Sequence, residues 1–394
     1  MTSYKDWIYD VLKNYSTSTK KEPFFVSSWD CDPEMVMYPL NIISDLHHND
    51  FHEFSYKFSE DLFWTKEILK KIFNNDIDDY WKSENFSLGT NATSSIYLSL
   101  MALINQGKNR FLVITPVYYS IIDTLTDFKR SIYFYHLLDS NSFQINIDEL
   151  NWIVKSQYIE VIILTDPIYC SGIEIEGIIY QELVEISQKN HVTLLIDGTL
   201  SGLEWNKSSC TFFDKRKFDA LKRSYDFIYI NSEPKSYFMN DLKYALLISS
   251  SKNITLIEDL ASQVSGGLNK FQINLFRAFH SKTGKMELNK CKSHNLSTLR
   301  SNYNLLRTAL INTEFALYPT NSGYFTMIFS KEAKLKDYDP KKLTKNLLYN
   351  MNILPLLGHY FTFFKENKLS IRVNLMKNFS HILPNLLFAL KKYI

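Results

Sequence analysis

The stretch TLLIDGTLSG, residues 193–202, decides the fold. A short run with no polar break ends in an aspartate and passes straight into a glycine-bearing turn. Successive side chains of a strand point to opposite faces, so a strand that is apolar almost throughout must be covered on both sides. Runs of the same kind lie on either side of it. VIILTD (161–166) precedes it, separated by IIYQELVEISQKN (178–190), whose apolar spacing is helical. FIYINS (227–232) and YALLIS (244–249) follow. Further upstream, NATSSIYLSLMALINQ (91–106) reads as a helix, FLVIT (111–115) as a strand closed by Pro116, and SIYFYHL (131–137) as another strand. Strands buried on both faces and alternating with helices predict an α/β protein built on a mostly parallel sheet. After about residue 270 the pattern changes to long amphipathic helices, including a charged stretch near 281–307, and two short strands, YFTMIFS (324–330) and LSIRVNL (369–375).

The chain has 394 residues, 45% of them apolar, and single cores stop growing near roughly 250–300 residues. Two domains are therefore expected: a large one over 49–275 and a small α+β one over 276–394, with residues 1–48 forming an N-terminal arm and part of the small domain. Lys and Arg total 44 against 42 Asp and Glu, a formal charge of +2 that points to no nucleic acid and no anionic membrane. The residues before 50 are not markedly basic, so no DNA-binding extension is expected. Cys31, Cys170, Cys210 and Cys291 stand far apart with no CxxC or Cys/His cluster, which suggests neither disulfides nor a metal site. No signal-type apolar block opens the chain, and no run approaches the roughly 20 apolar residues of a membrane span. A soluble cytoplasmic protein is the expectation.

In open α/β sheets ligands collect outside the carboxyl ends of the strands, so the polar residues there carry the functional reading. The turn Leu88-Gly89-Thr90-Asn91 opens a helix. Its glycine permits close backbone approach and the helix N-terminus attracts a phosphate, although the same residues make an ordinary helix cap. Asp197 closes its strand where a carboxylate can hold a protonated ring nitrogen; a turn aspartate is the plainer alternative. Ser232 and Lys235 follow FIYINS, and a lysine just past a buried strand can be desolvated and nucleophilic rather than a solvated surface charge. Arg372 stands inside the apolar LSIRVNL strand and must meet an anion, either an internal carboxylate or that of a substrate.

In this order and spacing the motifs resemble the class I and II aminotransferases, pyridoxal 5'-phosphate (PLP) enzymes of fold type I, over most of the chain. The family's phosphate loop resembles Gly89-Thr90-Asn91, and its proline, any residue, aromatic motif resembles Pro116-Val117-Tyr118. Its Asn-Pro-x-Asn-Pro-Thr-Gly segment resembles Asp166-Pro167-Ile168-Tyr169-Cys170-Ser171-Gly172, with Asp197 following 25 residues on. Its Ser-x-x-Lys motif falls on Ser232 and Lys235, and a basic residue eight positions later on Lys243. Gly358, Phe361 and Arg372 are similar to its C-terminal motif.

The resemblance implies a seven-stranded sheet between helices plus a smaller α+β domain. It also implies PLP as a Schiff base on Lys235, with Gly89, Thr90, Asn91, Ser232 and Lys243 at the phosphate. Tyr118 would stack on the ring, Asp197 would hold the pyridine nitrogen, and Arg372 would grip the carboxylate of an amino-acid substrate. A homodimer is implied as well, with Tyr56 reaching a phosphate across it. The reaction implied is transfer of an amino group from an amino acid to a 2-oxo acid through a quinonoid intermediate.

Three positions depart from the family pattern. Tyr169 replaces an asparagine, Leu200 a tyrosine, and Lys243 an arginine. The first two touch the cofactor's phenolic oxygen, so the phenol donor is expected to move from the Leu200 loop to Tyr169; a Tyr169 facing solvent or substrate is the alternative. Lyase, cyclase, decarboxylase or oxidase chemistry on the same fold stays open, as does a non-catalytic PLP-binding protein.

Overall fold

The computed structural model describes residues 4–42, 62–74, 80–137, 143–205, 214–264, 266–331, 339–357, 369–379 and 383–391. Tyr56, Gly358 and Phe361 lie outside the described residues. The strands, in chain order, begin with β1 (Phe24–Phe25), β2 (Phe86–Gly89), β3 (Arg110–Thr115), β4 (Ser131–His136) and β5 (Val161–Thr165). They continue with β6 (Thr193–Asp197), β7 (Asp226–Asn231), β8 (Ala245–Ser249), β9 (Phe315–Leu317) and β10 (Phe325–Ser330). The last are β11 (Ile353–Leu354), β12 (Leu356–Leu357) and β13 (Ser370–Asn374).

Seven strands form one sheet in the order β2-β8-β7-β6-β5-β3-β4. The pairs β3/β4, β3/β5, β5/β6 and β6/β7 are parallel, and β8 alone runs against both its neighbours, β7 and β2. The apolar runs are continuous for the reason the sequence suggests. Leu112, Ile162, Leu194, Ile196 and Leu246 pack into a core on one face, while Val113, Ile163, Leu195, Ile228 and Leu247 pack into a second core on the other. The sheet is therefore mostly parallel, seven-stranded and doubly covered.

A four-stranded antiparallel sheet, β12-β13-β10-β9, has its own core, in which Ile371, Val373, Phe325 and Ile328 meet Leu299 and Leu306 of the 28-residue helix Lys282–Ala309. The N-terminal segment joins this region. β1 pairs in parallel with β11, and the residues after β1 are laced to β13: Asn374 Nδ2 donates to the Ser28 carbonyl (3.0 Å) and Asp32 N–H to the Met376 carbonyl (2.9 Å).

One reading needs correction. Residues 88 and 89, taken from the sequence as part of a turn, belong to β2, where Leu88 and Gly89 pair with Leu246 and Ala245. A four-residue strand is too short for periodicity to reveal, and its partner lies far along the chain.

The loop after β5 is anchored by buried charge. Lys217 Nζ lies 2.6 Å from Asp166 Oδ2 and 3.2 Å from Glu174 Oε1, and the Tyr180 hydroxyl donates to the same Asp166 oxygen. Removing one member of such a set leaves an uncompensated charge away from water. Lys217→Ala is expected to lower the unfolding free energy by about 3–5 kcal/mol. Lys189→Ala, which breaks only the exposed pair with Glu185, is expected to change it by about 0.5 kcal/mol or less. Urea titration of both variants checks the difference.

Candidate active site

The chain leaves β3 for the edge strand β4 and returns on the other side of β3 to β5, β6 and β7. Such a reversal opens a crevice at the carboxyl ends of the strands. A cavity of about 340 Å³ occupies this place, within the range of roughly 300–1,000 Å³ usual for small-molecule sites.

Each strand end supplies a group to it. Tyr118, just past β3, caps the helix Tyr119–Asp127 and turns its ring into the cavity. Thr165 and Tyr169 come from the end of β5 and its loop, Asp197 and Thr199 from the end of β6, and Ser232 and Lys235 from the turn after β7. Lys243 closes the set ahead of β8. Seven residues expected from the sequence, Asn91, Tyr118, Tyr169, Asp197, Ser232, Lys235 and Lys243, therefore line one cavity.

Asp197 is buried, and Oδ1 accepts hydrogen bonds from both the backbone N–H and the hydroxyl of Thr199. Burial raises its pKa, while those bonds and the charge of Lys235 pull the other way. Lys235 occupies a tight turn, Glu233–Tyr237, where its N–H donates to the Ser232 carbonyl (2.9 Å). Its Nζ sits 4.4 Å from the centre of the Trp29 ring. Burial lowers the pKa of the amine to about 8, against the pull of Asp197 and with help from Lys243. A carboxylate and a weakly basic amine thus face each other in a water-poor space, a pairing that marks functional sites.

The turn that carries Lys235 is itself tied down. Glu233 is buried and its Oε2 meets the Tyr244 hydroxyl (2.6 Å) and His280 Nε2 (3.0 Å). Gln272, on the helix Lys270–His280 that also bears His280, donates to the carbonyls of Thr90 (2.9 Å) and Lys243 (2.7 Å). One helix therefore binds three of the segments that border the cavity.

Other expected residues take different places. Gly89 and Thr90 border a separate small cavity, and a Cβ at Gly89 would fall 2.1 Å from Ser95 Oγ. The glycine admits a neighbouring side chain instead of a ligand. The helix end facing the main cavity is Asn91, Ala92 and Thr93, and the Asn91 side chain caps it by accepting from Ser94 N–H (2.9 Å). Gly89 and Thr90 thus border a different cavity from the one that Asn91 lines, because the first helical turn, not the strand end, borders the main opening.

Arg372 is buried and does not line the cavity. Its Nη1 donates to the Tyr169 hydroxyl (3.0 Å) and its Nη2 to the Ser27 carbonyl (2.5 Å). Burial holds the Tyr169 hydroxyl protonated, with Arg372 acting the other way. Leu200 lines the cavity beside Tyr169.

Sequence reasoning missed Ala92, Thr93, Thr165, Thr199, Asn240 and the carboxylates of Asp30 and Asp241, all on the cavity wall. Thr165 and Thr199 were within reach, being polar residues at strand ends. Trp29 was noticeable only as one of many aromatics. The Thr165 hydroxyl is buried without a hydrogen-bond partner among the described residues, and a buried donor in that state calls for a ligand or water.

The donor set fits pyridoxal phosphate: an amine for its aldehyde, a carboxylate for its ring nitrogen, and a helix N-terminus with Ser232 and Lys243 for its phosphate. Among the described residues no group of His, Cys, Asp and Glu could hold a metal ion, and no helix is long and apolar enough to cross a membrane.

The family profile described as Aminotransferase class I and II matches residues 65–380. The structure is similar to an aspartate aminotransferase from Thermotoga maritima, with a TM-score of 0.75 and 15% identity, covering 98% of this chain and 96% of that one. An aminotransferase from Escherichia coli gives a TM-score of 0.79 at 14% identity over 97% of this chain and 93% of that one. A tyrosine aminotransferase from Leishmania infantum gives 0.78 at 15% over 98% and 96%. At these identities the likeness is one of fold. No curated protein matches by sequence.

The environment of Lys235 has a consequence for pH. Its amine is neutral and nucleophilic above about 8, whereas an ordinary lysine requires about 10.4. Trapping of Lys235 by an aldehyde with cyanoborohydride, followed by peptide mass, is expected to quicken with pH and level off past about 8. Asp197→Asn, which removes the charge favouring the ammonium form, is expected to move that inflection lower.

Proposed function

The chain belongs to the aminotransferase class I and II family, and from that premise we propose that it moves an amino group between two small molecules with pyridoxal phosphate attached at Lys235. The observation that carries this reading is the half-buried Lys235 amine that shares the cavity with Asp197 at the carboxyl ends of β7 and β6. The family's usual pair of substrates is an amino acid and a 2-oxo acid, and a homodimer is its usual assembly.

When bound, the cofactor supplies an aldehyde that condenses with amines and a ring that draws electrons from the carbon bearing the nitrogen. The protein's part is positioning and proton transfer. The Asp197 carboxylate, fixed by Thr199 on one oxygen, holds the ring nitrogen and keeps it protonated. The first turn of the helix Ala92–Asn105, with Ser232 and Lys243, takes the phosphate. The Tyr118 ring bounds one face of the pyridine. The Tyr169 hydroxyl, held by Arg372, faces the phenolic oxygen in the place that Leu200 cannot serve. Lys243 brings charge but no planar fork, and weaker cofactor retention follows.

Lys235 has two tasks. Its amine first anchors the cofactor. Released from that bond, its Nζ would be free to accept a proton and give it back. A pKa near 8 suits a group that must both accept and give up a proton near neutral pH.

Loss of a positioned general acid and base slows catalysis by about 10²–10⁴-fold. Lys235→Ala is expected to lower the rate of amino transfer by at least that factor while the protein still folds. In the unaltered protein, an amine donor is expected to convert the cofactor to its amine form, and a carbonyl acceptor to restore it. Steady release of ammonia without accumulation of the amine form would assign the site to elimination or oxidation instead.

A further inference from the structure

We propose that Trp29 belongs to the catalytic machinery: the face of its indole is the seat of the Lys235 ammonium whenever that amine is not bonded to the cofactor. The inference rests on the reading of Lys235 given above and extends it to a residue that no strand end of the large sheet supplies.

Lys235 Nζ lies over the Trp29 ring, 4.4 Å from its centre. A cation within about 6 Å of a ring centre is attracted by the negative face of the π system, and indole attracts most strongly. Among the described residues this Nζ makes no hydrogen bond and no close ion pair, so the ring is its contact partner. Other charges act on the amine from further off: Asp197 at the end of β6 favours the ammonium, and Lys243 ahead of β8 disfavours it. Tyr118 and Tyr169 border the same cavity as phenols that burial keeps protonated, and Asp30 and Asp241 are exposed carboxylates on its wall. Arg372 is the second cation near the indole, its guanidinium carbon 5.6 Å from the ring centre.

The ring is placed by the fold and not by the lysine. It packs edge-on against Phe325 with centroids 4.9 Å apart and against Tyr324 at 6.0 Å, both from the small antiparallel sheet and its approach. The Trp29 carbonyl accepts from Asn240 Nδ2 (2.7 Å), and Asn240 Oδ1 accepts from the Tyr324 hydroxyl (3.2 Å). On either side of Trp29, the carbonyls of Ser28 and Asp30 accept from Asn374 Nδ2 of β13 (3.0 and 3.1 Å). The indole thus stands ready on the cavity wall, and a preorganised group needs no rearrangement when charge develops beside it.

Such a seat answers a difficulty of the loaded site. There Asp197 faces the protonated ring nitrogen, which neutralises its charge, and Lys243 faces the phosphate. A lysine released from the cofactor and protonated would then be a desolvated cation without a carboxylate of its own, a costly state. The aromatic face offsets that cost modestly, and it holds the ammonium without binding it so tightly that the proton cannot be returned. The direction of the effect separates this role from mere packing. Weakening a cation seat lowers the pKa of Lys235, whereas opening a ring that only excludes water raises it.

The test uses the full chain free of cofactor and follows, by peptide mass, the trapping of Lys235 by acetaldehyde with cyanoborohydride across a pH series. Trp29 alone is replaced by mono-, di- and trifluorinated tryptophan, which withdraws charge from the ring face while nearly keeping its shape and its burial of the lysine. The inflection is expected to fall stepwise with fluorination, by roughly 0.5–1.5 pH units over the series. An inflection that stays fixed, or that rises, would overturn the inference while leaving the cofactor assignment intact. Borohydride reduction of the pyridoxal phosphate-loaded chain keeps the two apart: an adduct at a lysine other than Lys235 would instead remove the reading on which the inference stands.

Discussion

Two groups of opposite charge, the half-buried Lys235 amine and the buried Asp197 carboxylate, line one cavity, and the rest of the site is arranged around that opposition. Burial works against the charge of each. It lowers the amine and raises the carboxyl, each group's charge opposes the shift in the other, and the amine is left at about 8. A protonated ring nitrogen placed between them would satisfy the carboxylate and leave the amine available for bond formation. The pair is thus incomplete in itself and complementary to one kind of ligand.

The fold holds this arrangement because the two residues end neighbouring parallel strands. Asp197 closes β6, Lys235 lies in the turn directly after β7, and these strands are in register from Thr193 opposite Asp226 to Asp197 opposite Ile230. Asp166, at the end of β5, adds a further tie, its backbone N–H donating to the Asp197 carbonyl (3.0 Å) while Lys217 holds its side chain. The helix Lys270–His280 secures the opposite side through Gln272 and His280. The segment after β1, joined to β13, brings Trp29 against the lysine amine. Strand ends thereby carry most of the polar groups that line the cavity, and the segment laced to β13 adds Trp29 and Asp30.

The central strands could be read from the sequence because burial on both faces leaves no polar alternation. TLLID and FIYINS admit few other structures, and the polar residue that ends each is conspicuous. Lys235 and Asp197 were legible for that reason. β2 was not, since four residues containing Ser87 and Gly89 carry no period. The helix after Asn91 was evident from its cap, but which of its first residues face the cavity depends on its angle of entry, which local sequence does not record. Arg372 shows the same limit more sharply. An arginine in an apolar strand announces that it has a partner, yet the partner carbonyl, Ser27, stands 345 residues away in the chain.

The central claim is a covalent bond between pyridoxal phosphate and Lys235. The direct measurement is borohydride reduction of the purified, cofactor-supplied protein, followed by mass spectrometry of its peptides. The account predicts a single pyridoxyl adduct, on Lys235, the first of the two lysines within FIYINSEPKSYFMNDLK. An adduct on another lysine, or none after reduction, would contradict it.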